Sequence, residues 1–230
     1  DPYSKYYWAT MDAMRITNHY HNQYPEKSSR PMSHSARGFI PAEGSAVIVL
    51  ENYEHARERN AKIYGEIIGS HINTGGQTNG GSMTSANPEM LINCISNAIQ
   101  NADINPNKLD YISGHLTGTK ADIPEIEAWH KAIKCKKNDF PYINSTKSLT
   151  GHTMGACGAM ETIATILQMN NSFIHKSLNC EDLHPDISKT IPKNKIPQKT
   201  ITKVKINYAA TANFGFGDVN ACLILKNFYE

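Results

Sequence analysis

From Pro31 onward, apolar and polar positions follow two rhythms, and the alternation predicts most of the elements. "SAVIVLE" (Ser45–Glu51) is a short β-branched run that predicts a buried strand, and "NYEHARERNA" behind it predicts a helix with a charged face. "KIYGEIIGSHINT" predicts a second strand. "TGGQTNGGSMTSANPE" is a loop by composition, and its closing Asn-Pro starts the helix "PEMLINCISNAIQNA", with Pro88 in the first turn. "LDYISGH" (Leu109–His115) is a strand followed by a polar turn and the helix "IPEIEAWHKAI". "FPYINST" repeats the arrangement, leading through a Gly-rich turn into "GACGAMETIATILQMNN". "TKVKINYAATANFG" and "VNACLILKN" predict two closing strands joined by a Gly-Phe turn. Two successive strand–turn–helix units predict an α/β fold with both polar turns at carboxyl ends of strands, where open α/β sheets present binding and catalytic groups.

Composition narrows the classes. The 230 residues allow one substantial core or two small domains, and a formal net charge of +2 makes no polybasic case for nucleic acid. Apolar runs such as Ala46–Leu50 are too short for a membrane span, the start carries no secretory pattern, and the chain reads as cytoplasmic. Five scattered cysteines, Cys94, Cys135, Cys157, Cys180 and Cys222, form no CxxC pair and read as reduced thiols. Cys94 and Cys222 are core candidates; Cys135 and Cys180 read as surface or loop residues. The opening stretch, Asp1 to Arg30, is polar and aromatic and reads as the middle of a longer protein.

Three turns carry candidate chemistry: "GHLTGTKAD" with His115, "STKSLTGH" with Lys147 and His152, and "NFGFGD" with Phe214 and Phe216. Two neutral imidazoles donating N–H bonds to one carbonyl oxygen would stabilise negative charge developing there, which suits enolate or acyl chemistry. Lys147 would disfavour protonation of either histidine, and a carboxylate such as Glu125 or Asp122 would hold the lysine in place. His19 and His21 lack further ligands at metal-binding spacing, and "TGGQTNGG" lacks the GKS/T ending of a phosphate loop. His55, His71 and His130 fall in helix or strand patterns and read as solvated or structural.

Four segments together resemble a known family. "RPMSHSARGFIPAEGSAVIVLE" is similar to the RDGFVxGEGAGVLVLE segment of β-ketoacyl synthases, and "GHLTGTKADIPEIEA" to their HGTGTxxGDxxE turn. "NSTKSLTGHTMGACGAMETI" resembles STKSxTGHxxGAAGAxE, and "NFGFGDVNACLIL" resembles NFGFGGTNAxLIL. The resemblance implies a thiolase-like fold, of which residues 31–230 would be the C-terminal half: a mixed sheet with helices on both faces. Residues 1–30 would be the tail end of the N-terminal half. It also implies decarboxylative Claisen condensation of malonyl carried on acyl carrier protein with an acyl thioester. No cofactor is implied beyond the 4′-phosphopantetheine arm of that carrier, and no metal.

Carried residue by residue, the resemblance makes His115 and His152 the pair that polarises the malonyl thioester, Lys147 the supporting lysine and Glu125 its carboxylate. Thr117 and Thr119 match threonines that bond the pantetheine arm. Phe216 matches the gating phenylalanine, with Phe214 before it, and Thr84 falls in the region of the HMTxPxP loop. Leu116 stands where the family has Gly or Ala, the turn before Asp122 is one residue shorter, and Asp218-Val219 replaces Gly-Thr. The two substitutions imply a bulkier, more acidic wall.

The family's nucleophilic cysteine lies in the N-terminal half, in a T-A-C-A/S context that no cysteine here shares. Cys157, on the first turn of the helix after His152, reads as a packing residue. The resemblance therefore implies a nucleophile on a separate or cleaved N-terminal half. It also implies a dimer or a second synthase subunit as partner, alongside acyl carrier protein. The alternative is a non-catalytic chain-length-factor-like subunit. A thiolase is disfavoured, because thiolases place a second cysteine near the end.

Overall fold

The computed structural model describes residues 4–229. Its helices are α1 (Lys5–Ala13), α2 (Tyr53–Glu58), α3 (Pro88–Asn101), α4 (Asp122–Ile133), α5 (Lys147–Thr150), α6 (Cys157–Asn171) and α7 (Pro185–Thr190). The strands are β1 (Glu66–Thr74), β2 (Tyr111–Ser113), β3 (Tyr142–Asn144), β4 (Phe173–Ile174), β5 (Ile201–Thr202), β6 (Tyr208–Gly215) and β7 (Val219–Lys226).

Five strands form one mixed sheet in the order β1-β7-β6-β2-β3, antiparallel from β1 to β6 and parallel from β6 to β3; β4 and β5 pair separately. The period-2 alternation of strands sends side chains to two cores. Ile112, Ala210, Ala212, Cys222 and Ile224 join the larger core with the apolar stripe of α3 and the inner face of α4. Tyr111, Ala209 and Leu225 join the smaller one with Met169 of α6. Helix α3 starts where the sequence predicts, with the Asn87 side chain accepting from Glu89 N–H and Pro88 at the first position.

Two expectations need correction, and one element is unforeseen. Ser45–Glu51 forms no strand: Val47, Val49 and Leu50 are 85%, 80% and 71% exposed, and no described strand pairs with them. β-branched propensity reflects fit to a half-buried pleated surface, and this segment has no such neighbour. Cys180 lies in a loop, as expected, but is not at the surface: it is buried and packs in the larger core. Helix α1 lies in an opening stretch from which no element is predicted. It buries only Met11, so the sequence offers no apolar stripe to read.

Candidate active site

Parallel pairing of β2 with both β3 and β6 brings three strand ends together. Ser113 faces Asn144 on one side and Thr211 on the other. His115 and Asn213, each two residues beyond that register, emerge side by side, and Lys147 follows three residues after Asn144. The His115 and His152 rings meet edge to face with centroids 5.2 Å apart, and Phe214 lies edge-on to His115 at 6.3 Å.

Two carboxylates from the start of α4 hold the first turn. Glu125 accepts the N–H groups of His115 (2.7 Å) and Leu116 (2.8 Å), and also Trp129 Nε1–H (3.3 Å). Asp122 accepts those of Thr117 (2.8 Å) and Gly118 (3.1 Å), as well as Met32 N–H (2.7 Å). Both are buried. Burial and the neighbouring Asp122 push Glu125 up to about 8, against the pull of its backbone donors, and burial likewise raises Asp122.

Glu125 is therefore not the partner of Lys147. The lysine ammonium, 2% exposed, pairs instead with Glu161 on the second turn of α6. Glu125 is already committed to the His115 turn, and α6 brings Glu161 under the lysine from the opposite side. The signal was in the chain: Glu161 ends the "STKSLTGHTMGACGAME" run, 14 residues after Lys147. Burial raises the Glu161 carboxyl while the Lys147 charge pulls it down.

Asn213 joins the two halves of the constellation. Its amide N–H donates to Glu161 Oε2 (3.0 Å), which turns its oxygen towards His115 Nδ1 (3.3 Å) and the Cys157 thiol (2.8 Å). That orientation assigns the His115 proton to Nδ1 and leaves its Nε2 bare. The second histidine is the opposite tautomer, because Met154 N–H donates to His152 Nδ1 (3.1 Å) and leaves the proton on Nε2. In this arrangement the free Nε2 of His152 carries a proton and that of His115 a lone pair. Both rings are neutral at ordinary pH. Burial, helped by the Lys147 charge, brings His152 down to about 3 and His115 well below its ordinary value.

A strap of residues 26–42 crosses both histidine turns. Ser29 Oγ donates to Lys147 C=O, Gly38 N–H to Gly118 C=O (3.0 Å) and His152 N–H to Ile40 C=O (2.7 Å). The Phe39 ring sits 5.0 Å from that of His152. Gly151, at φ +71°, is required here: a Cβ would stand 2.9 Å from Ile40 O.

The remaining residues spread around this centre. Thr117 and Thr119 share a hydroxyl bond of 2.9 Å on the first turn. Phe216 is 43% exposed at the tip of the β6–β7 hairpin. Thr84 is exposed on the 75–87 loop, which reaches the same tip through Gly217 N–H to Met83 C=O (2.9 Å). The bulky, acidic wall does not form. Leu116 is fully buried in the larger core and Asp218 is fully buried beneath the hairpin. Cys157 is buried on the first turn of α6, and burial pushes its thiol up to about 11. Among the described residues, no group of His, Cys, Asp and Glu is placed to hold a metal, and no helix is long and apolar enough to cross a membrane.

The family model described as "Beta-ketoacyl synthase, C-terminal domain" matches residues 64–181. The 3-oxoacyl-[acyl-carrier-protein] synthase 2 of Coxiella burnetii is 37% identical over 214 residues, which cover 91% of this chain and 49% of that protein. The chain thus spans about half the length of this curated relative. Two solved structures are similar over 100% of the chain at 25% identity. One is a type II PKS acyl-carrier protein in complex with its ketosynthase, at TM-score 0.88 over 54% of the matched chain. The other is the ishigamide ketosynthase/chain length factor, at TM-score 0.86 over 52%. The fold is thiolase-like, as the motifs predict.

Proposed function

Since the chain belongs to the β-ketoacyl synthase family as its C-terminal domain, we propose that it provides the decarboxylating machinery of a β-ketoacyl-[acyl carrier protein] synthase in fatty acid or polyketide synthesis. The substrate is malonyl carried on acyl carrier protein. His152 Nε2–H donates to the malonyl thioester oxygen as the bond to the carboxylate breaks, carbon dioxide leaves and the electron pair moves onto that oxygen. A fixed donor aimed at developing charge is worth about 3 kcal/mol. His115 faces the same space; it joins as a second donor once its proton moves from Nδ1 to Nε2. The Lys147–Glu161 pair and Asn213 hold both rings. The enolate carbon then attacks the acyl thioester held on the cysteine of the N-terminal half, forming the new carbon–carbon bond, releasing that cysteine's sulfur as thiolate and leaving the β-ketoacyl product on acyl carrier protein. Thr117 and Thr119 bond the pantetheine arm, Thr84 lines its approach, and Phe214 and Phe216 close over the acyl chain.

One observation carries this reading: two neutral imidazoles, one half-buried and one buried, edge to face, at the ends of adjacent parallel strands above a buried lysine–carboxylate pair. The acyl-accepting cysteine is placed outside these 230 residues, in the N-terminal half of the synthase. Four of the five thiols here are buried, and burial raises all five: Cys94 and Cys157 to about 11, Cys180 to about 12, and Cys135 and Cys222 upward. A nucleophile needs the reverse. The chain-length-factor reading finds less support, since a subunit freed from chemistry has no need of His115, Lys147 and His152 together.

The test is decarboxylation of malonyl carrier protein by the assembled synthase. His152→Ala is expected to lower its rate by about 10²-fold or more, with His115→Ala also impaired. An unchanged rate in either variant removes that histidine from the mechanism.

A further inference from the structure

We infer that Asp218 is a positioning residue that ties the hairpin tip bearing Phe216 to the 75–87 loop, so that the two move as one body. The role of the tip as an acyl gate rests on the function proposed above; the tie itself does not.

Asp218 stands at φ +63°, in the left-handed region that glycine adopts freely, and is fully buried. Its side chain is spent entirely on the loop. Oδ1 accepts Asn87 N–H (2.8 Å) and Oδ2 accepts Gln77 N–H (3.1 Å), while its own carbonyl accepts Gly75 N–H (2.9 Å). Gly217 N–H returns a fourth bond to Met83 C=O, so both ends and the middle of the loop are fastened to two consecutive hairpin residues. Among the described residues no cation pairs with this carboxylate, which leaves backbone N–H groups as its compensation.

The loop is shaped around the carboxylate. A Cβ at Gly75 would lie 2.0 Å from Asp218 Oδ2, and one at Gly81 2.2 Å from the same atom. The glycine-rich composition of "TGGQTNGG" thus has a local cause: the chain must pass close to a buried side chain. The family pattern has glycine where Asp218 stands, and glycine has no side chain with which to fasten the loop. Phe216, two residues earlier, cannot swing on the hairpin alone while these bonds hold; opening the gate means carrying the loop, and Thr84, with it.

The test uses the assembled synthase carrying Asp218→Gly, Asp218→Asn or Gly81→Ala. Amide hydrogen exchange is expected to quicken tenfold or more in Asp218→Gly, over 75–87 and 215–219 together. Asp218→Asn, which keeps one acceptor oxygen, should recover part of the protection. Acyl transfer from a medium-chain acyl carrier protein should change fivefold or more in kcat/KM, while malonyl decarboxylation stays within twofold of the unaltered enzyme. Gly81→Ala strains the same bonds from the loop side and should reproduce the pattern if Asp218→Gly fails to fold. Exchange that quickens in only one segment, or not at all, overturns the tie. Transfer and decarboxylation falling in parallel overturn its role at the gate. An unaltered enzyme that does not decarboxylate malonyl carrier protein overturns the proposed function, and exchange still decides the tie.

Discussion

Lys147 and Glu161 illustrate how much one side chain depends on another here. Both are almost wholly buried, so removing one leaves an uncompensated charge in the interior, at a cost of about 3–5 kcal/mol. Lys147→Met alone should therefore lower stability by that amount in denaturant titration, and Lys147→Met with Glu161→Leu should recover most of it. A double variant as unstable as the sum of its parts would mean that the pair is not coupled. Glu125→Gln should leave the lysine untouched and act on the His115 turn. The glutamine oxygen accepts one of the backbone N–H groups and its NH₂ opposes the other, a loss of about 1–3 kcal/mol. The motifs mark the turns on which His115, His152 and Lys147 stand, and the two histidine rings meet there. The motifs did not show which carboxylate meets Lys147, because Asp122, Glu125 and Glu161 all lie on helices that follow the turns. Only the packing of α6 against β6 chooses among them.

At the scale of elements, the turns after β2 and β3 concentrate buried ionisable groups of opposite tendency, and stability should record both. His152 is lowered from 6.5 to about 3, so the unfolded chain binds more protons between those values and stability falls as pH drops through that window, by up to about 1.4 kcal/mol per pH unit. Glu125 is raised from 4.5 to about 8, so its contribution is present at low pH and is lost as pH rises from 4.5 to 8. The raised Asp122 and Glu161 act in the same sense as Glu125. Above pH 6.5 the histidine contribution is complete, and Glu125→Gln should flatten the remaining decline towards pH 8 in denaturation midpoints. An unaltered slope would place the decline elsewhere. The decarboxylation rate should correspondingly stay flat from pH 8 to about 5, since the histidines remain neutral; an acid limb centred at 6.5 would contradict their desolvation. The strand–turn–helix units were legible because each is local in sequence, running from Tyr111 to Ile133 and from Tyr142 to Asn171. The strand expected at Ser45–Glu51 failed because a strand is defined by its neighbour.

Across the whole molecule, exposed apolar groups occur along much of the chain, and two places bear on association. Val47, Val49 and Leu50 form one extended stretch, and Ile72, 73% exposed, lies on edge strand β1. Contiguous exposed apolar surface and an open sheet edge favour association. The 230-residue chain by itself should sediment above its 25.5 kDa mass, and Val47→Lys with Val49→Lys should reduce that association. Monomeric behaviour of the unaltered chain would contradict the reading.

The strap of residues 26–42 carries a further consequence, for the order in which the molecule comes together. Its bonds to Asp122 and Lys147 span 90 and 118 residues, and the His115–Asn213 bond spans 98. Contacts so distant in sequence form slowly, because each closes a long loop before any reward is received. On the ribosome the strap emerges before both histidine turns and waits for them, while Asn213 arrives only with β6. The constellation is thus complete only once β6 has been made, and a nascent polypeptide stopped before β6 holds every histidine of the site but no site.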